Sequence, residues 1–252
     1  MIGADLDLAA TARAIAEPPR AAMLLRLMDG RAHTARDLAE AAGISPPAAS
    51  PHLRHLVDAG LVSVTVTGRR RLHAIASPEV ATAVEALAAI SPLLPVESLR
   101  EAHTGSRLQT ARVCYSHLGG SLAVAIARQI TADGVVDAVD TSGGGAVWTL
   151  DHPLLVDLSI IDLSGFTGPM VRGCLDWTER QAHLAGRLGT ALLVAMLEHG
   201  WLLRRPGDRA LNISATGTDH LAELGMWPLD ANSSGTGHAR SPSRPVRPAR
   251  MR

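Results

Sequence analysis

The spacing of apolar and polar positions predicts two short helices between residues 34 and 60. The first has a polar start at Thr34, an acidic residue three positions later and a glycine, Gly43, as its stop signal. The second begins at Ser45 and Pro46, because serine can cap a helix and proline loses no hydrogen bond in the first turn. This order of helix, tight turn and second helix is typical of a helix-turn-helix.

A β-hairpin with a cationic tip is predicted directly after the second helix. Residues 61–67 alternate β-branched and small polar side chains, and residues 72–75 alternate back after the turn Gly68-Arg69-Arg70-Arg71. In a helix-turn-helix protein the second helix enters the major groove of DNA, and basic side chains beside it contact phosphates. Each piece alone would more often be core or solvated surface, but the three in this order favour DNA binding. The predicted contacts are Ser45, Pro46, Pro47, Ala48, Ser50, His52 and Arg54 on the helix, with Arg69, Arg70 and Arg71 on the hairpin.

The chain resembles the ArsR-type bacterial repressors over about residues 12–90. The resemblance rests on Ser45-Pro-Pro-Ala-Ala-Ser-Pro-His-Leu-Arg-His-Leu-Val-Asp-Ala-Gly-Leu-Val62, on the arginine hairpin and on a further helix from Pro78. It implies a homodimeric winged-helix repressor that leaves its operator when an inducer binds. Pro51 departs from the pattern, because a proline inside a helix removes a backbone hydrogen bond and is expected to kink or strain the helix.

Further helices are predicted on both sides of this region. One runs from Leu8 to about Ala16, and a second starts at Pro19. A third covers residues 78–90, and in the family this helix joins the N-terminal one in the dimer interface. An apolar face packed within one chain would look identical in sequence, so the pattern alone leaves both readings open. The apolar positions of this third helix are Val80, Val84, Leu87 and Ile90.

The remaining chain contains a weak internal duplication with an offset of 66 residues, which is 183 minus 117. Cys114-Tyr-Ser-His-Leu-Gly-Gly-Ser-Leu122 is echoed by His183-Leu-Ala-Gly-Arg-Leu188. Each unit is predicted as a helix that opens at the histidine and is followed by a hairpin, over residues 135–148 and 201–213. Together the units resemble two degenerate winged-helix halves. The runs 112–118 and 174–180 also resemble the appended domain of one ArsR-type subgroup.

Two cysteines and two histidines of this domain carry candidate chemistry. Cys114 and His117 lie three apart, which would place them on one helical face, and Cys174 and His183 form a second pair. The four could bind a zinc-type ion if the halves pack together, or a thiol could react with an oxidant if neighbours lower its pKa. The chain has no double-cysteine knuckle and the second pair is loosely spaced, which favours buried packing residues. We therefore predict no bound metal and no cofactor.

An organic effector is the other possibility for this domain. Trp148, Trp177 and Trp201 could line an apolar pocket between the two domains, polarised by Arg112 or His183, although tryptophans are more often buried as core. The effector is expected to be an unknown small molecule or redox agent. Its candidate residues are Cys114, His117, Trp148, Cys174, Asp176, Trp177 and His183.

Composition and charge narrow the class of protein. No stretch approaches the twenty or so apolar residues that span a bilayer, and the N-terminus lacks the positive charge of a signal peptide, so we expect a cytoplasmic protein with no membrane role. The formal net charge is zero, with 24 acidic residues and 24 basic residues that are all arginines, so attraction to DNA must be local. Phosphate-loop and hydrolase motifs are absent, which favours a regulator over an enzyme using the cysteine and histidine residues.

The predicted fold is mainly α-helical with small β-hairpins, in the α+β class. A winged helix-turn-helix domain takes residues 8–90, a proline-marked linker 91–98, and a C-terminal effector and dimerisation domain 99–228. The tail, 229–252, is rich in Ser, Gly and Pro and carries five arginines, so it is predicted to be disordered and able to hold DNA loosely. The expected protein is a homodimeric repressor whose partner is a double-stranded DNA operator.

Overall fold

The structure, a computed structural model, describes residues 6–93, 95, 98–137, 139 and 144–229. Its N-terminal half contains five helices and a three-stranded antiparallel sheet, in strand order β1-β3-β2. The elements are α1 (Leu8–Ile15), α2 (Pro18–Leu27), β1 (His33–Thr34), α3 (Ala35–Ala41), α4 (Pro46–Asp58), β2 (Val62–Thr67), β3 (Arg70–Ile75) and α5 (Pro78–Ile90).

Local capping fixes the helix-turn-helix. Thr34 accepts a hydrogen bond from the Asp37 backbone N–H and Asp37 accepts one from the Thr34 N–H, which closes a capping box at the start of α3. Ser45 caps α4 in the same way, with its hydroxyl oxygen accepting from the Ala48 N–H. Gly43, with φ of 65°, makes the left-handed turn between the two helices. The two helices and their turn are confirmed.

Pro51 does not end the second helix. α4 continues without interruption from Pro46 to Asp58, and Pro51 is exposed within it. Proline removes one hydrogen bond, which would have gone to the carbonyl of Pro47 in the exposed first turn. The packed face, with Ala49, Leu53 and Leu56 buried, holds the helix in place.

The C-terminal half is built from hairpins and helices that alternate along the chain. Its sheets are small and antiparallel, with strand orders β4-β5, β6-β7-β8 and β10-β9. The elements are α6 (Leu99–Thr110), β4 (Arg112–Cys114), β5 (His117–Gly119), α7 (Ser121–Ala132), β6 (Gly144–Gly145), α8 (Pro153–Asp157), β7 (Val171–Leu175), β8 (Ala182–Ala185), α9 (Gly186–Glu198), β9 (Leu202–Arg204), β10 (Leu211–Ile213) and α10 (Ala215–Glu223).

The internal duplication appears as a hairpin, a helix and a second hairpin, twice. The hairpin β4–β5 leads into α7, and β7–β8 leads into α9 at the predicted offset. The hairpin after α9 is confirmed as β9–β10, and after α7 Val136 bridges Val147. Residues 140–143, in the predicted turn of that first hairpin, lie outside the described residues.

The start of each repeated helix differs from the prediction. His117 and His183 lie on strands, and the helices begin at Ser121 and Gly186, after the histidines. The reason is the glycine at the junction. Gly120 and its counterpart Gly186 have φ of 97° and 78°, and a Cβ on either would lie 2.6 Å from a backbone carbonyl oxygen. Only glycine lets the chain turn there from strand to helix.

Two hydrophobic cores divide the described chain. One is made of buried residues between Ala14 and Val84, and the other of buried residues between Ala111 and Met226. The predicted domain limits of 8–90 and 99–228 stay predictions at their exact ends, and the predicted tail beyond residue 229 lies outside the described residues. Within the described part of the chain, no helix is long and apolar enough to cross a membrane.

Polar contacts join the two cores at two places. The first is the β4–β5 turn, where the Tyr115 backbone N–H donates to the Met28 carbonyl after α2 at 2.8 Å. The second is α5, which the C-terminal half approaches with arginines. Arg209 pairs with Glu85 at 3.2 Å, Arg172 donates to the Thr82 hydroxyl at 3.4 Å, and Arg180 donates to the Ala89 carbonyl.

Candidate functional site

The N-terminal half of α4 is a free surface on a packed support. Leu53 and Leu56 anchor the helix in the core, and most residues on its other faces are exposed within the described part of the chain. The predicted DNA contacts on it are exposed, apart from His52, which is half-buried. The exposed set is Ser45, Pro46, Pro47, Ala48, Ser50 and Arg54.

The hairpin beside it, which we call the wing, has a tighter turn than predicted. Thr67 pairs with Arg70, so the turn is only Gly68 and Arg69, with a φ of 60° at Gly68. This glycine-first arrangement is the type II′ turn, which matches the twist of a hairpin. The prediction of a four-residue turn is therefore wrong, because Arg70 and Arg71 pair within β3.

The strand geometry separates the three arginines of the wing. Successive strand residues project to opposite faces, so Arg71 shares the face of the buried His73 and Ile75, and Arg70 lies on the other face. Arg69 stands at the turn itself. All three side chains are exposed, and no ion pair within the described chain neutralises them.

The C-terminal half brings together the four residues that carry candidate chemistry. Cys114 lies directly opposite His117 in the β4–β5 register, and Cys174 lies directly opposite His183 in the β7–β8 register. The expectation that Cys114 and His117 share a helical face is wrong, because a spacing of three also closes a two-residue hairpin. The loose spacing of the second pair reflects a longer hairpin loop, so it is no argument against a common site.

The two hairpins face each other, and their donor atoms form one cluster. The Cys114 Sγ lies 3.9 Å from the Cys174 Sγ, and the His117 Nε2 lies 3.1 Å from the His183 Nε2. One ligand atom from each of the four residues lies within 4.8 Å of all the others. Cys114, His117 and His183 are buried, and Cys174 is half-buried. The two cysteines are free thiols.

A buried carboxylate orders the surroundings of this cluster. Asp176 accepts hydrogen bonds from Arg112 at 2.8 Å and from the Gly120 backbone N–H at 2.7 Å, which ties the second repeat to the first. Burial opposes ionisation, but the charges of Arg112 and His183 and further hydrogen bonds hold the pKa of Asp176 well below its usual range. Its Oδ2 lies 3.4 Å from the His183 Nδ1, outside hydrogen-bond geometry.

The buried thiol is not a reactive one. The hydrogen bond to Cys174, together with burial, raises the pKa of Cys114 to about 12. Because the thiolate is the nucleophile, a raised pKa makes the residue inert toward oxidants at neutral pH. The hypothesis of a thiol activated by a lowered pKa is therefore wrong for Cys114.

The three tryptophans do not line a common pocket. Trp148 lies on the surface, 70% exposed, with its Nε1 donating to Asp137. Trp201 is buried in the C-terminal core and stacks on His220, whereas Trp177 lies under the Arg112 guanidinium at 4.7 Å. The pocket predicted from these residues is wrong, because the hairpins that carry Trp148 and Trp201 place one ring outside the core and the other inside it.

No sequence motif predicts the contact between the cysteine–histidine hairpin and the N-terminal half. Tyr115, between Cys114 and His117, has a φ of 57°, which few non-glycine residues adopt. Its carbonyl oxygen packs so closely on Gly30 that a Cβ there would lie only 1.9 Å away. A glycine shortly after a helix, such as Gly30 after α2, is an ordinary stop signal, and a left-handed tyrosine has no sequence signature.

A helix-turn-helix with an antiparallel wing defines a winged-helix protein of the kind that binds DNA. Residues 17–64 match the family model described as bacterial regulatory protein, arsR family. The chain is 39% identical over 208 residues to an uncharacterized HTH-type transcriptional regulator, YdfF, of Bacillus subtilis, which covers 81% of this chain and 90% of that protein. The chain therefore belongs to the ArsR family of transcriptional regulators, and the match extends well beyond the helix-turn-helix into the C-terminal half.

Two further similarities cover smaller shares of the chain. A probable mercury resistance operon repressor of Streptomyces lividans is 39% identical over 72 residues, 29% of this chain and 57% of that one. The solution structure of the homodimeric winged helix-turn-helix domain Mb0332 of Mycobacterium bovis covers 34% of this chain and 86% of its own, with 26% identity and a TM-score of 0.30.

Proposed function

We propose that the protein is a homodimeric repressor that leaves its DNA operator when an effector acts on the C-terminal domain. The observation that carries the DNA-binding part is the pairing of an exposed, serine-capped α4 with three unneutralised arginines on the adjacent wing. In this proposal Ser45, Ser50, His52 and Arg54 face base edges or phosphates of the major groove, and the wing contacts the neighbouring backbone.

The α5 helix supports the dimeric part of the proposal. Its Ala81 and Val84 pack on the N-terminal core, and its Thr82, Glu85 and Ala89 face arginines of the C-terminal half. Its third face carries two apolar side chains that nothing in the described part of the chain covers, Leu87, which is 44% exposed, and Ile90, which is 79% exposed. Apolar side chains on an otherwise covered helix are typical of an interface with a second copy.

The effector part rests on the two contacts that join the halves. The β4–β5 turn touches the chain after α2, and β7 with its following loop touches α5. A palindromic operator fixes the separation of two recognition helices at about one turn of DNA, roughly 34–36 Å. A shift of the C-terminal domain that moves α2 or α5 would change that separation and lower operator affinity.

The wing provides the sharpest test of DNA binding. The triple variant R69A/R70A/R71A should bind a duplex selected from a random pool by the full-length protein about tenfold or more weakly than the parent does. Because each lost phosphate contact lowers the salt slope by about one, the slope of log affinity against log salt should fall by up to about three. Fluorescence anisotropy at several salt concentrations measures both quantities.

A matched control removes arginines that lie outside the wing. The variant R128A/R205A loses cations of the C-terminal domain and should keep the salt slope of the parent. Equal affinities and slopes for the triple variant and the parent would contradict the assignment of the wing to DNA.

A further inference from the structure

We propose that Cys114, His117, Cys174 and His183 bind one zinc-class divalent ion, and that this ion is the effector input of the C-terminal domain. The second half of this inference rests on the proposed function, because it names the regulator of the same DNA-binding unit. The first half concerns metal binding alone and stands independently of DNA.

The donor set and its spacing fit a four-coordinate site. With Zn–S bonds of about 2.3 Å and Zn–N bonds of about 2.0–2.1 Å, a tetrahedron sets its sulfur atoms about 3.8 Å apart and its nitrogen atoms about 3.3 Å apart. The sulfur atoms here are 3.9 Å apart and the Nε2 atoms 3.1 Å apart. One donor atom from each residue lies within 4.8 Å of one from every other residue, so side-chain shifts of about an ångström would complete the tetrahedron.

The surroundings of the four residues also suit a metal. A ligating histidine usually turns its second ring nitrogen toward a carboxylate. The His183 Nδ1 has no hydrogen-bond partner, and the Asp176 Oδ2 lies 3.4 Å from it, just outside hydrogen-bond geometry. A proton on that Nδ1 leaves the Nε2 lone pair directed at the cluster. The two imidazoles already approach each other through Nε2, so a cation between them would bind both lone pairs.

The chemistry of the site is binding, with no catalytic step. Four protein donors fill a tetrahedral zinc site and leave no position for water or substrate. When the ion enters, each thiol gives its proton to solvent and each imidazole binds as the neutral form. Two sulfur and two nitrogen donors select zinc and similar soft ions over magnesium or calcium, which prefer oxygen.

The position of the cluster explains how ion binding there could affect the DNA-binding half. The ion would join β4–β5 to β7–β8, and each of these hairpins touches a different element of that half. Tyr115, between two of the ligands, contacts Met28 after α2, and Arg172, two residues before Cys174, contacts Thr82 on α5. The Asp176 hydrogen bonds already join these hairpins at one end, and a bound ion would add a second link between them that bears on both contacts at once.

The metal site is tested by titrating chelator-treated, full-length protein with cobalt(II). We expect one equivalent to bind with the visible spectrum of a tetrahedral site containing thiolates, and one equivalent of zinc to displace it. At a hundredfold excess over its Kd, zinc should raise the Tm by about 5–10 °C. The C174S and H183N variants should lose these signals, and H103A, which changes an exposed histidine on α6, should keep them.

Two outcomes would overturn the metal site. One is a parent protein that binds no cobalt or zinc, which needs no variant and does not depend on how the variants fold. The other is binding by C174S and H183N that equals the parent's.

The regulatory half is tested by measuring operator affinity for metal-free and zinc-loaded protein. We expect the two affinities to differ about fivefold or more. A bound metal with equal affinities would overturn the effector role and leave the site standing. A bound metal with no DNA binding in either form would instead overturn the proposed function, so the two failures are distinguishable.

Discussion

Gly30 is the residue on which the contact between the two halves depends most directly. It has a φ of 72°, and a Cβ there would meet the Tyr115 carbonyl oxygen at 1.9 Å. Gly134 has the same φ of 72°, but a Cβ there would meet nothing within 4 Å. An alanine at Gly134 therefore carries only the conformational cost of an L-residue at positive φ, about 1–2 kcal/mol, without the collision. We expect both G30A and G134A to bind zinc normally. Only G30A should lose the zinc dependence of operator affinity. Anisotropy with and without zinc measures this, and equal responses from the two variants would show that the Tyr115 contact carries no signal.

The residues of the candidate site were easier to find than their arrangement. The helix-turn-helix is predictable from its helix caps, Thr34 and Ser45, and its stop signal, Gly43, because these act within a few residues. The four donors were found by residue type, but a spacing of three fits a helix as well as a two-residue turn. Only the left-handed Tyr115 decides between the two, and nothing in a tyrosine predicts that conformation. The second pair meets the first because Arg112 and Gly120 of the first repeat donate to the Asp176 carboxylate, and such long-range contacts have no local sequence signal.

At the scale of elements, α5 is the piece that both halves share. Its Glu85 is buried and pairs with Arg209 at 3.2 Å, and the second carboxylate oxygen has no partner. Removing Arg209 leaves a buried charge alone, so R209A should lower the free energy of unfolding by about 3 kcal/mol. R107A breaks the more exposed pair with Asp208 and should cost about 1 kcal/mol or less. Urea denaturation measures the free energy of unfolding of both variants. Equal decreases would mean that the buried Glu85–Arg209 pair stabilises the protein no more than the more exposed pair does.

At the scale of the whole molecule, the proposed dimer can be tested at the exposed apolar residues of α5. The double variant L87E/I90E places two charges on that face, so it should convert a dimer into a monomer of 26.4 kDa. I161E changes a side chain that is 85% exposed in the C-terminal half and should leave the dimer intact. Light scattering coupled to size exclusion reports the mass. A parent protein that is monomeric at micromolar concentration would contradict the dimer.

The duplication in the C-terminal half divides the four donor residues between the two repeats. Each repeat supplies one cysteine and one histidine from a single hairpin, so neither repeat holds more than half of a ligand set. A lone unit of this kind could close a four-donor cage only by meeting a copy of itself. In this chain the two units are joined in one polypeptide, with a longer loop in the second hairpin, and their four donor atoms meet where the two units pack together.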